Sequence, residues 1–267
     1  MNKPYIIITL GPTGSGKTKL IKETISYLGL KKNYVKILID DLIENNNKYK
    51  EKILSIMNDI LDKCEKEAKI KNNKCDIISY YINPTEELLK VFEAAYFSVR
   101  NEENLNIKND NILKRAIKNK RNIVFETTGR YIPKWLLSEP YINEDYNVIF
   151  SYSITPFDKL INRNINRTID SIKIFDNDNT KPAPRLPDIE YNRFKKIVYE
   201  IKNTLTEIYM NCINIMKYKK NICGDKNINT LLIFDNSESQ MKIAFDSNNK
   251  RLSRGEFNKL LNMLFSL

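Results

Sequence analysis

Histidine is absent from all 267 residues. With it go Ser-His-Asp and Cys-His nucleophilic catalysis, H-E-x-x-H metal sites and imidazole general bases. Chemistry in this chain therefore rests on carboxylates, Lys, Arg, hydroxyls and a bound metal. Cysteine is sparse: Cys64, Cys75, Cys212 and Cys223 are widely spaced and form no C-x-x-C. That pattern reads as neither a zinc site nor a disulfide scaffold, and it predicts reduced thiols in a cytosol. No apolar run approaches the roughly 18 residues of a membrane span. The apolar run near the N-terminus is too short for a signal-peptide core. The expectation is a soluble, cytoplasmic protein (host cytoplasm or virion if viral) that makes no use of a membrane.

No internal repeat and no Pro- or Ser-rich linker divides the chain. Its length allows one large domain or two small ones, with a sizeable core. Lys and Arg number 44 against 33 Asp and Glu, a net charge of +11 that attracts anions. A solvated Lys-rich surface accounts for most of that balance, nucleotide and nucleotide-sugar ligands for part, and nucleic acid for less.

What is present is a run of apolar residues, Tyr5–Leu10, followed at once by Gly11-Pro12-Thr13-Gly14-Ser15-Gly16-Lys17-Thr18. This fits G-x-x-x-x-G-K-[ST] without mismatch, and a helix-competent segment follows, which is the strand, loop and helix the phosphate-binding motif needs. Its glycines let backbone N–H groups turn toward phosphate oxygens at a helix N-terminus. Lys17 then reaches the β/γ-phosphates and Thr18 ligates Mg²⁺. The implied ligands are ATP, or GTP, with Mg²⁺.

Further apolar runs at Tyr34–Ile39, Asn122–Phe125, Asn147–Ser153 and Leu231–Phe234 read as parallel strands buried on both faces. Each ends in polar residues, so the site belongs at the carboxyl edge of one sheet. The predicted architecture is α/β: a P-loop kinase domain over residues 1–240, a mainly parallel sheet flanked by helices. It carries a helical insertion at about 42–120, between strands two and three, and a lid at about 156–187. A helical tail at 241–267 packs on the same domain. Within the insertion, Asn83, Pro84 and Glu86 sign a helix start, and Asn101–Asp110 reads as a loop. A long helix is expected from about Asp188 to Lys219, with Cys212 and Met216 on its apolar stripe. The tail helix opens on the capping box Ser253-x-x-Glu256.

Three constellations remain. Glu126-Thr127-Thr128-Gly129-Arg130 leaves strand three and can hold a polyhydroxylated substrate or act as a strand-end cap. Asp40-Asp41 closes strand two; one acid can take the proton of an attacking hydroxyl while the other caps a helix, with Asp41 favoured as base and Glu44 next in line. Thr155-Pro156-Phe157-Asp158 starts a helix that carries Arg163 and Arg167 on one face. Beyond it the proline-stiffened Lys181–Pro187 run aims Arg185. Such arginines either stabilise charge on a transferring phosphoryl group or form a solvated basic face.

Together these residues resemble the zeta-toxin kinases, over most of residues 1–190. The resemblance implies ATP- and Mg²⁺-dependent phosphorylation of a hydroxyl of UDP-N-acetylglucosamine, with an aspartate after strand two as base. Glu126, Thr128 and Arg130 match the family's E-x-T-G-R substrate segment, Arg167 and Arg185 its two lid arginines, and Arg163 lies beside them. The family's D-x-D is replaced by adjacent acids, and the insertion is longer than usual. A polynucleotide or nucleoside kinase, or a non-catalytic nucleotide-binding module in a larger assembly, remain the competing readings. A protein inhibitor or assembly partner is left open.

Overall fold

Strand β1 (Tyr5–Leu10) is buried at every position and lies at the centre of a six-stranded sheet of order β2-β3-β1-β4-β5-β6. The computed structural model describes residues 3–138, 145–186, 191–222 and 230–265. Pro187, the helix start expected at Asp188, Cys223 and the side chains of Cys212 and Met216 lie outside the described residues. The chain forms two compact units, Met1–Ile37 with Leu113–Leu160 and Glu190–Leu267, and Leu38–Ile112 with Ile161–Ile189.

The first unit holds the sheet: β2 (Val35–Ile37), β3 (Ile123–Thr127), β4 (Asn147–Ile154) and β5 (Thr230–Asp235) run parallel to β1, and β6 (Lys242–Asp246) is antiparallel on β5. This is the expected P-loop type of α/β sheet. Leu10 pairs with both Thr127 and Tyr152, so β1 and β3 end level while β4 runs on to Ile154. That shared edge is where parallel strands release polar loops. Helix α1 (Lys17–Tyr27) buries Leu20, Ile21 and Ile25 against Ile7, Val124, Ile149 and Leu232. Each such fully buried aliphatic side chain contributes about 1.5–3 kcal/mol over an exposed one, which is why three positions suffice to seat an amphipathic helix.

Helix α9 (Tyr191–Ile222) and the last helix, α10 (Arg254–Phe265), meet through Tyr209 stacked on Phe257 at 4.1 Å, with Phe245 of β6 against both. The capping box forms as expected: Ser253 N–H donates to Glu256 Oε2 at 2.7 Å and Glu256 N–H to Ser253 Oγ at 3.3 Å. Residues 242–246, expected within a helical tail, instead form β6. Lys242 and Ile243 are exposed while Phe245 and Asp246 are buried, and the free edge of β5 supplies the pairing partner.

The second unit contains α2 (Ile39–Glu44), α3 (Asn47–Lys71), α4 (Ile77–Ile82) and α5 (Glu86–Glu102), the first part of α6 (Leu105–Lys118) and most of α8 (Phe157–Asn177); α7 (Lys134–Ser138) belongs to the first unit. Its core is built from Ile43, Tyr49, Ile53, Met57, Tyr81, Phe92, Val99, Phe175 and their neighbours. The insertion and the lid segment, distinct stretches in sequence, thus share one core.

Three expectations are corrected here. The cap of α5 is Thr85, whose hydroxyl accepts from Leu88 N–H at 3.2 Å, whereas Asn83 ends α4. The expected loop Asn101–Asp110 is only a turn at Glu103 and Asn104 (φ 50°), because Leu105, 2% exposed, anchors α6 in the core. Cys64 and Cys75 are disulfide-bonded with Cα atoms 5.4 Å apart. They are distant by motif spacing, but Asn72 ends α3 in the left-handed conformation and turns Cys75 back onto the helix. Among the described residues no helix is long and apolar enough to cross a membrane.

Candidate functional site

In the first unit the loop between β1 and α1 has the backbone of a phosphate cradle. Gly14 and Gly16 both sit at φ 82°, and α1 begins directly after Gly16 with no acidic residue in its first turn. Gly11 has φ 149°, which L side chains rarely adopt, and an added Cβ would also crowd Ser15 Oγ at 2.5 Å and Ser15 Cβ at 3.1 Å. Lys17 curls over the loop and donates to the carbonyls of Gly11 (3.0 Å) and Pro12 (3.2 Å). Its ammonium is thereby held at the mouth of the cradle. Thr18 is exposed on the first turn of α1.

The cradle is pinned from behind. The carbonyl of Ser15 accepts from Ser153 Oγ at 2.6 Å, Asn236 Nδ2 at 3.2 Å and Thr155 Oγ1 at 3.3 Å. Ser153 belongs to β4, Thr155 follows it, and Asn236 follows β5. Three side-chain donors on one carbonyl fix which way that peptide faces, and so which way the neighbouring N–H groups point. Nothing local in the sequence ties Ser153 or Asn236 to the loop. Their position at the polar ends of apolar strands was the one available signal.

The segment after β3 packs directly behind the cradle. Gly11 N–H donates to Thr128 O at 3.2 Å, and Gly129 (φ 81°) lies against Leu10. Glu126, 6% exposed, faces Lys36 Nζ at 3.3 Å. Thr128 is exposed. Arg130 is paired with Glu200 of α9 through Nε and, at 3.1 Å, Nη2, and its carbonyl accepts from Thr204 Oγ1 at 2.8 Å. The Arg130 hydrogen bond holds the Glu200 carboxyl below its ordinary range, and the same bond pushes the Arg130 guanidinium up. Glu200 was not among the residues singled out from sequence; it lies in a charged helix with no motif around it.

In the second unit the adjacent acids do not extend a strand. They occupy the first turn of α2, because β2 stops at Ile37 and Leu38 takes the N-cap position. Asp40 is half-buried: Oδ1 accepts from the Tyr96 hydroxyl at 2.6 Å, and Oδ2 lies 3.1 Å from Arg185 Nη1. Asp41 is exposed. Arg185 Nε lies 2.7 Å from Glu44 Oε1, and Arg167 Nη2 is 3.5 Å from that same oxygen. The Arg185 guanidinium also stands 5.7 Å from the centre of the Tyr96 ring, a cation–π distance. Burial works against the Arg185 cation, but Asp40 and Glu44 outweigh it and the group is pushed up. Burial, then Asp40, pushes the Tyr96 phenol up.

The structure therefore brings Asp40, Arg167 and Arg185 into one cluster, and the phosphate loop with Glu126, Thr128 and Arg130 into another. Arg163 sits one turn before Arg167 on α8. Tyr96 was absent from the candidates, since an apolar helix stripe hides a tyrosine whose hydroxyl is used. Among the described residues no three His, Cys, Asp or Glu side chains gather as a metal site.

No protein-family model matches the sequence, and no curated protein matches it. Among solved structures, the chain is similar to one from the PezAT chromosomal toxin–antitoxin system of the human pathogen Streptococcus pneumoniae. The TM-score is 0.51 and the identity 12%, over 100% of this chain and 80% of that one. At that identity the likeness shows a shared fold.

Proposed function

We propose that this protein is a zeta-toxin-like P-loop kinase that transfers the γ-phosphoryl group of ATP to a hydroxyl, with UDP-N-acetylglucosamine as the leading acceptor. The observation that carries the reading is the cradle: a left-handed Gly14 and Gly16, Lys17 curled over the loop and α1 opening behind it. These are the groups that bind a triphosphate tail. The sequence resemblance and the fold shared with a chain of a toxin–antitoxin system both support the choice of family.

The residues have distinct roles in this reading. Lys17 pairs with the β/γ-phosphates. Thr18 offers an exposed hydroxyl oxygen, the hard donor that Mg²⁺ accepts alongside phosphate oxygens and water, so the donor set fits that ion. When bound, Mg²⁺ neutralises phosphate charge. Asp41 is the general base, because it is exposed on the first turn of α2 where an acceptor hydroxyl can approach it. Arg167 and Arg185 stabilise charge developing on the transferring group. Glu126, Thr128 and Arg130 bind the acceptor, with Arg130 already oriented by Glu200. A protein antitoxin is the partner that the solved neighbour suggests.

The test is incubation with γ-labelled ATP and a panel of UDP-sugars, nucleosides and oligonucleotides, with Lys17→Ala as control. Label on a UDP-sugar, lost in the control, is expected. Label on an oligonucleotide or nucleoside instead moves the assignment to that class of kinase. ATP binding with no label on any acceptor makes the protein a non-catalytic module.

A further inference from the structure

Helix α2 ends in a residue that two other pieces of the second unit use. Glu44 Oε1 receives Arg185 Nε at 2.7 Å and Arg167 Nη2 at 3.5 Å, one arginine from the proline-rich run and one from α8. Its main-chain carbonyl accepts from Ala183 N–H at 2.8 Å, so the same residue holds the run by backbone and by side chain. The run is tied down again where the Tyr49 hydroxyl donates to Pro184 O (3.3 Å) and the Thr168 hydroxyl to Arg185 O (3.2 Å). Asp40 lies one helical turn before Glu44 and grips the far side of the Arg185 fork. A planar guanidinium caught at Nε and Nη1 by two carboxylates, over an aromatic face, has little freedom left.

Ion pairing does not fully offset the burial of this charge. Burial pushes the Glu44 carboxyl above its ordinary range, and the pull of Arg185 and Arg167 does not cancel the effect. A folded-state pKa above the unfolded one means that the stability contribution is full at low pH and is lost as pH rises through the folded pKa. A neutral Gln of the same shape removes that burial cost but also takes one counter-charge from the buried Arg185. Two acids one turn apart on α2 also repel each other. What the charge does supply is a fixed spacing between two cations from separate segments.

We propose that Glu44 is the positioning residue of the lid: it sets Arg167 and Arg185 in register, with Asp40 and Tyr96 as the second arm, and it does not take the substrate proton. The proposal rests on the reading that the two arginines act on the transferring phosphoryl group. In that role their aim matters only in the transition state, so losing it lowers kcat rather than raising KM.

The experiment uses the full chain and compares Glu44→Gln, Arg167→Ala, Arg185→Ala and the double variant Glu44→Gln/Arg185→Ala. For Glu44→Gln we expect kcat to fall about tenfold or more and KM for ATP and acceptor to change less than about twofold. The double variant should lose little more than Arg185→Ala alone, since both changes undo one arrangement. The Nε–H of Arg185, observed by NMR, should exchange with solvent at least about tenfold faster in Glu44→Gln. Wild-type kcat in Glu44→Gln beside impaired arginine variants overturns the proposal and leaves the arginine reading standing. So does a kcat loss that comes with a falling thermal midpoint and unchanged Nε–H exchange. Intact kcat in both arginine variants overturns the arginine reading, and the proposal with it.

Discussion

Replacing Gly129 with alanine tests whether the segment after β3 really supports the phosphate loop. Gly129 has φ 81°, where an L side chain costs roughly 1–2 kcal/mol. Its new Cβ would lie 2.9 Å from Leu10 Cβ and 3.4 Å from Leu10 Cα, so the obstacle is a strand residue whose backbone cannot swing aside. Overpacking of that kind adds about 1–3 kcal/mol. The sum is about 2–5 kcal/mol, a drop on the order of 10 °C in the melting midpoint for a chain of this size. Gly29 is the internal control: its φ is +63° but nothing lies within 4 Å of an added Cβ, so Gly29→Ala carries only the backbone cost. Trp135, the one tryptophan in the sequence, sits on α7 with its ring 5.3 Å from Phe125 of β3 and reports on the same unit. Its fluorescence during thermal and urea unfolding should show Gly129→Ala well below Gly29→Ala. Because Leu10 leads directly into Gly11, ATP affinity should fall as well. If the two variants unfold together, the close packing of Gly129 on β1 is not what holds the loop, and the argument fails.

Lys17→Ala should abolish measurable ATP binding by calorimetry while leaving the Trp135 unfolding curve near wild type, because the ammonium bonds to loop carbonyls and is not part of the hydrophobic core; equal affinity in the mutant would remove the P-loop assignment. Asp41→Asn should cost about 10²-fold or more in turnover, and Asp40→Asn should cost less but loosen Arg185, so the reverse ranking would make Asp40 the base. The Arg130–Glu200 pair should matter only above the acid range. The folded-state Glu200 carboxyl is held below the ordinary 4.5, so its contribution is present above that value and is lost as pH falls through the lowered one. Glu200→Gln should flatten the acid limb of unfolding measured through Trp135, and an unchanged limb would contradict the pairing.

How far the sequence alone reaches depends on how local each determinant is. The phosphate loop was legible because its glycines, Lys17 and Thr18 are adjacent, and each answers to a backbone requirement of that one turn. Strands β1, β4 and β5 were legible because burial on both faces leaves a continuous apolar run, and the Ser253–Glu256 box because cap and helix are four residues of one stretch. The cap at Thr85 rather than Asn83, and the helix inside Asn101–Asp110, were misread where two local signals competed and burial of Leu105 decided. Edge strand β6 formed because β5 offered an unpaired side, which no property of residues 242–246 reveals. Only the tertiary structure set Glu200 on Arg130, Ser153 and Asn236 on the carbonyl of Ser15, Cys75 on Cys64, and Glu44 between Arg167 and Arg185. In each of these the partners come from separate elements. Propensity and periodicity describe how a segment satisfies its own backbone and which face it buries. They carry no term for which distant charge or hydroxyl that face will meet.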